Sequence, residues 1–208
     1  MANSKENKVL IGLENFHWFP LTLGEGENGE VTVNYGAGSA APGTVNFTMN
    51  PEGDGEPFYA DNGIYFMPGD NVGYSGDWEQ ALIPEDLKEY ALGTTTDDAG
   101  VVVETSQGPK KAFAITGDLT GDAKARRVVF YMCYLSRPTV GGSTKAGSST
   151  PNTETVTITA VPRPDYVKVK RDGELVDEHL VKAYTKAATN AEAYATWHDA
   201  PYTPAYTK

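Results

Sequence analysis

The chain has 208 residues and a formal net charge of −11, with 28 Asp and Glu against 17 Lys and Arg. That length suits one large domain, able to bury roughly 70% of the surface its unfolded chain exposes. One cysteine excludes an internal disulfide framework and a four-thiolate metal site, no window approaches the ~18 apolar residues of a membrane span, and the acidic balance argues against ordinary DNA binding, which needs clustered cations to displace counterions.

Residues 1–13 hold no apolar core of signal-peptide length, so synthesis and folding in the cytoplasm are expected. The first expected strand is the apolar run 8–13, leading into the aromatic cluster Phe16, His17, Trp18 and Phe19. Residues 24–43 mix acidic residues, glycine and alanine around a weak strand at 31–35. Val45, Phe47 and Met49 share one face of a half-buried strand over 44–49. Asn62-Gly63, between Pro57-Phe58-Tyr59 and Ile64-Tyr65-Phe66, predicts a hairpin, because a type I′ turn needs positive φ at both central residues.

A strand is expected over 73–83, followed by a short helix that Pro84 opens. Glu85 and Asp86 suit its dipole, Leu87, Tyr90 and Ala91 form its apolar face, and Gly93 ends it. Further strands are expected at 101–104, 111–116 and 126–136. The last is apolar on both faces, with Val128, Phe130, Met132 and Tyr134 on one and Val129, Tyr131, Cys133 and Leu135 on the other, so both sides should be covered. Residues 141–151 read as a Gly/Ser/Thr loop, and 153–160 as a strand with Thr155, Thr157 and Thr159 facing away from Val156, Ile158 and Ala160. After residue 164 the character shifts. A small hairpin about Asp172-Gly173, a helix over 180–188, and a capping box from Thr189 to Glu192 before a helix at 193–197 are expected. The organisation is thus a β domain over 1–164 and a C-terminal extension over 165–208.

Charge is unevenly spread. Residues 1–100 carry 17 Asp/Glu and 3 Lys/Arg, whereas 101–208 carry 11 and 14. Such polarity fits either a solvated acidic face or copies that attract one another head to tail.

Little in the chain resembles a catalytic set. His17, His179 and His198 lack zinc-site spacing and read as surface or interface residues. Gly73-Tyr74-Ser75-Gly76-Asp77 lacks the final glycine and following helix of a nucleophile elbow. Asn50, Glu52, Asp54, Gly55 and Asp61 fall at calcium-loop spacing, but three are the wrong residue type and Pro57 interrupts the loop. Gly117-Asp118-Leu119-Thr120-Gly121-Asp122 is read as a hairpin turn. Cys133 is expected to be buried and inert. Tyr74, Trp78, Tyr202 and Tyr206 are either core, interface anchors or a sugar-binding groove. No cofactor, metal or enzymatic activity is expected.

Several phrases resemble, in order, the major tail protein family of long-tailed, non-contractile bacteriophages: PEGDGEPFYADNGIYF (51–66), GYSGDWEQALIPEDLKEYALG (73–93), GVVVE (100–104), PKKAFAITGDLTGDAKARRVVFYMCYLSRP (109–138) and TETVTITAVPRP (153–164). GLENFHWFPLT (12–22) also suits that family, and AYATWHDAPYTP (193–204) is similar to its Trp-containing tail. Residues 24–42 look expanded and the lysine-rich stretch 165–188 has no counterpart.

The resemblance implies a mainly β tail-tube sandwich or barrel with one short packed helix and a hairpin or loop reaching the next subunit. It further implies hexameric rings that stack around a channel through which DNA passes without specific binding. Its implied partners are the chain itself and the tape-measure, tail-terminator and baseplate or distal-tail proteins, with no membrane, in a virion tail. Tyr74, Trp78, Gly142, Lys145, Ser148 and Trp197 are the expected inter-subunit contacts, with segments 24–43 and 141–151 reaching between rings. Phe58, Tyr65, Leu87, Tyr90, Phe113, Phe130, Met132 and Ile158 are the expected core. A carbohydrate-binding β-sandwich or adhesin module is the alternative.

Overall fold

The computed structural model describes residues 7–206 other than 54, 56, 68, 70, 145–150 and 187–189. Strands account for 48% of the chain and helices for 7%, and the sheets are antiparallel, so the fold is mainly β. In chain order the strands are β1 (Leu10–Glu25), β2 (Val31–Tyr35), β3 (Ser39–Ala40), β4 (Thr44–Glu52), β5 (Phe58–Ala60), β6 (Gly63–Phe66) and β7 (Gly73–Gln80). After helix α1 (Glu85–Leu92) come β8 (Thr95–Thr96), β9 (Val102–Val103), β10 (Phe113–Gly121), β11 (Arg126–Leu135), β12 (Glu154–Ala160), β13 (Val167–Arg171), β14 (Glu174–Glu178), β15 (Lys182–Tyr184) and helix α2 (Ala191–Ala195).

The main sheet runs β2-β1-β10-β11-β12-β7-β4, with β3 added to β1 and β15 to β11. It curls back on itself. Phe16 of β1 meets Phe47 of β4 edge to face at 5.1 Å and lies 6.2 Å from Trp78 of β7, although these strands are far apart in the order. Around that contact Leu87, Ala91 and Leu92 of α1 join Phe113, Ile115, Phe130, Leu135, Val156 and Ile158 in the principal core. Tyr90, half-buried, fixes the helix to β1: its hydroxyl accepts from Leu21 N (3.0 Å) and donates to Leu21 O (2.7 Å).

Three bulges decide which side chains enter this core. In β4 the register against β7 slips between Thr44 and Asn46, so Val45 is exposed and does not share the core face of Phe47 and Met49. In β1 the register against β10 slips between Glu14 and His17, and Asn15 takes φ 57°, a left-handed conformation asparagine tolerates. The strand therefore does not end at residue 13. It continues through the aromatic cluster to Glu25, turning Phe16 and Trp18 inward. In β11, Phe113 faces Cys133 but Ile115 faces Phe130, so β11 carries one extra residue at Tyr131-Met132. The simple alternation expected over 126–136 is broken there. Val128, Phe130, Cys133 and Leu135 face the principal core, whereas Val129, Tyr131 and Met132 face away.

The second face of β11 is covered by the chain's own C-terminal segment. Over 180–186, the described part of the segment expected to be helical over 180–188, no helix forms. Val181 and Thr185 are buried with Ala183 between them, a two-residue period, and β15 pairs with Val128–Phe130 while β12 takes Cys133–Leu135 of the same edge. Thr189 lies outside the described residues. The α2 cap is Asn190, whose side chain accepts from Glu192 N (2.8 Å) and Ala193 N (3.4 Å), and the helix starts two residues earlier than expected.

The turn of the β5–β6 hairpin sits one residue earlier than Asn62-Gly63. Asp61 and Asn62 hold φ 51° and 62°, and Gly63 already pairs with Ala60. Asp172-Gly173 does form the turn of the β13–β14 hairpin, at φ 51° and 92°. Residues 24–43 are not a free segment, because β2 and β3 both pair with β1.

Gly76 is required by close backbone approach. A Cβ on Gly76 would stand 1.8 Å from Thr48 O of the neighbouring strand. Gly76→Ala is expected to push β4 off β7 and lower stability by about 1–3 kcal/mol, read as a reduced urea midpoint.

Candidate functional site

The structure sorts the expected site residues by burial. Trp78 is fully buried, and its Nε1 donates to Thr44 Oγ1 at 3.2 Å. Trp197 is also buried, with its Nε1 donating to Val128 O at 3.3 Å and its ring stacked on Tyr202 at 5.1 Å. Both rings are consumed within the monomer, so neither is an exposed inter-subunit anchor and no four-aromatic groove forms. Tyr74 is half-buried against Phe130 at 5.4 Å, with Lys182 Nζ 4.0 Å over its ring. Gly142 is exposed, and Lys145 and Ser148 lie outside the described residues.

The expected core divides in the same way. Leu87, Phe113, Phe130, Met132 and Ile158 are buried and Tyr90 is half-buried, but Phe58 is 60% and Tyr65 74% exposed. The correction has a simple cause. The β5–β6 hairpin pairs only with itself and stands off the main sheet, so alternation along it has no core to point into. Tyr59, Ile64, Phe66 and Met67 are exposed as well, and Phe58 and Tyr65 meet edge to face at 6.5 Å. The segment 51–72 that holds this hairpin has five carboxylates and no Lys or Arg. Exposed apolar side chains also occur at Val9, Leu10 and Ile11 and at Val101–Val103 of the β8–β9 region. An exposed apolar and aromatic hairpin of this kind marks a surface that another molecule covers.

A second surface has the opposite chemistry. On the outward face of β4, β7 and β12 the cross-strand register lines up three rows: Asn46, Glu79 and Thr155; Thr48, Asp77 and Thr157; Asn50, Ser75 and Thr159. All nine positions are exposed or half-exposed. Thr157 Oγ1 donates to Asp77 Oδ1 at 3.1 Å, and Thr153 Oγ1 donates to Glu79 Oε1 at 2.6 Å.

The third cluster holds the C-terminal segment down. His198 bridges Thr116 Oγ1 and Asp118 Oδ1, both at 2.8 Å, while Arg127 Nε lies 3.3 Å from the same Asp118 oxygen. His17 stacks on His198 at 5.2 Å. Asp118 thus lies within β10 and serves a structural ion pair, and the reversal follows Gly121 rather than occupying 117–122. His198 is therefore a packing residue rather than a surface one.

Nearby, buried Arg163 lies beside Asp165 and 5.6 Å from the rings of Tyr35 and Tyr131. Tyr35 donates to Tyr131 O (3.0 Å) and Tyr131 to Tyr202 O (2.7 Å). Burial pushes both hydroxyls well above the ordinary value of 10.0, with Arg163 pulling weakly the other way. A raised phenol favours the protonated native state, so this stabilisation is complete below pH 10 and is lost as pH rises beyond it. Tyrosinate absorbance should show these two of the 12 tyrosines ionising together with alkaline unfolding, after the exposed ones.

Among the described residues the candidate chemical motifs fall apart in space. Ser75 lies mid-strand in β7, not on a strand-to-helix turn. Asn50 and Glu52 are in β4 while Asp61 is in the hairpin turn, and among the described residues no group of three His, Cys, Asp or Glu is placed to hold a metal. Cys133 is fully buried and burial raises its thiol, so little thiolate forms. The exposure of the β5–β6 hairpin was missed from sequence because its apolar spacing is that of a core hairpin. The signal available was its length, a short hairpin flanked by acidic, Gly- and Pro-containing connections. No family model, curated protein or solved structure matches the chain.

Proposed function

We propose that the chain is a structural subunit of a bacteriophage tail tube, whose copies form stacked, hexameric rings around a channel for the genome. The observation that carries the reading is the self-paired aromatic hairpin β5–β6, whose side chains find no cover in their own monomer. Such a hairpin is a costly exposure for a monomer and an economical contact for a repeating assembly. The mainly β architecture and the phrase-by-phrase resemblance of residues 51–164 to tail proteins agree with it. So does the charge polarity, since an acidic hairpin segment is drawn to the more basic second half of another copy. The partners in this reading are other copies and the tape-measure, terminator and baseplate or distal-tail proteins. The net negative charge lets DNA pass without binding.

Negative-stain electron microscopy with light scattering on the concentrated protein tests the proposal. Rings or hollow tubes are expected; a species that stays monomeric at high concentration and with tail-tip initiator proteins added would overturn it. Exposed Tyr59 and Tyr65 also fit a carbohydrate-binding module. That reading requires saturable glycan binding by the monomer, which a glycan array measures.

A further inference from the structure

We propose that the outward face of β4, β7 and β12 is the wall of the channel, with Asp77 and Glu79 its carboxylates; the inference rests on the tube reading. The three rows of that face contain hydroxyls, amides and two carboxylates, and neither an apolar nor a cationic side chain. Strand spacing places them about 4.8 Å apart across the sheet and about 6.8 Å apart along it. A neighbouring subunit covering this lattice would have to satisfy every group and desolvate both carboxylates without an opposing cation from this face. The face therefore stays hydrated in any assembly, and the apolar β5–β6 hairpin takes the contacts instead.

Two features turn this wet face toward an axis rather than outward. β4 ends the main sheet, so among the described residues its far edge carries no strand, and the face can continue onto the next copy. Behind the face lie the core, then β1, β10 and β11, then the C-terminal segment carrying Trp197. The C-terminal layer thus lies on the side opposite the polar face, and copies that close around an axis with the polar face inward carry that layer on the outside. Facing the axis, the fixed carboxylates repel phosphates within a Debye length of about 8–10 Å, and the hydroxyls and amides hold water without offering a cationic foothold.

The test uses full-length tubes carrying Thr157→Cys, with Thr48→Cys as a second site should the first impair assembly. Cys133 is fully buried, so the unsubstituted chain is the blank. Tubes are treated with a small charged methanethiosulfonate or with maleimide coupled to streptavidin. A channel wall predicts that the small reagent still labels assembled tubes while labelling by the bulky conjugate, present in monomers, is lost. Labelling by both reagents would place the face outside, and labelling by neither would bury it between subunits; each overturns the wall. Absence of tubes from the unsubstituted chain with tail-tip initiator proteins added overturns the tube reading itself, and the wall with it.

Discussion

Replacing Trp78 with alanine is expected to destabilise the monomer by about 3–5 kcal/mol, the range for removing a fully buried large aromatic. The indole is wholly excluded from solvent, beside Phe16 of β1 and against the strand β4 that closes the sheet. It therefore packs β7 against β1 and β4 across the curled sheet, and its removal leaves a cavity in the principal core. Its Nε1 is also part of a buried polar knot. With the Gln80 amide oriented to satisfy both ends, its oxygen accepts from Trp78 and its nitrogen donates to Pro42 O (3.0 Å) and Leu82 O (3.1 Å). Alanine removes one of that oxygen's two donors, Thr44 Oγ1 at 3.1 Å remaining, so the lost hydrogen bond adds a smaller amount to the cavity cost. Trp78→Phe retains most of the volume and loses only the donor, while Thr44 Oγ1 still serves the Gln80 oxygen, so its cost should be nearer about 0.5–1.5 kcal/mol, that of one lost hydrogen bond. Urea titrations should show lower midpoints with unchanged slopes in the order wild type, Phe, Ala. A loss below about 1 kcal/mol in the alanine variant would mean that the curled sheet is held together elsewhere. The Phe variant also separates core from interface: folded at low temperature, it should assemble normally because the ring touches no neighbour.

The contrast between Trp78 and the hairpin aromatics shows what the sequence can and cannot carry. Strand existence was readable wherever a two-residue period met turn chemistry, as in β12, where Val156, Ile158 and Ala160 face inward and the threonines outward. The helix α1 was readable from Pro84 at its start, the acidic first turn and Gly93, which takes φ 68°. What failed depended on tertiary context. An extra residue at Tyr131-Met132 exchanges the faces of β11 midway, and no local pattern announces it. Residues 182–184 have helix-compatible composition, yet the open edge of β11 recruits them as β15. The polar rows on β4, β7 and β12 need the register of three strands from distant parts of the chain. Phe58 and Tyr65 have the spacing of core residues, and only the absence of a sheet behind them makes them surface.

Changing Phe58 and Tyr65 to serine should abolish tube formation while leaving the monomer's stability within about 0.5 kcal/mol of wild type, as for surface substitutions generally. Both rings are mostly exposed and their hairpin is hydrogen-bonded only to itself, so the fold loses little beyond their mutual edge-to-face contact. The assembly loses much more. Burying one such ring on docking contributes about 1.5–3 kcal/mol, and two per contact weaken each contact by roughly 10²- to 10⁴-fold. Every copy in a ring repeats the deficit, so the concentration at which tubes appear should move beyond reach. Sedimentation velocity would show a folded monomer, and circular dichroism an unchanged strand signal. Tubes that persist in the double variant would remove the hairpin from the assembly contact and, with it, the observation on which the tube reading chiefly rests. In the folded monomer neither face of this two-stranded ribbon has a core to enter, so serine at both positions removes apolar surface rather than support.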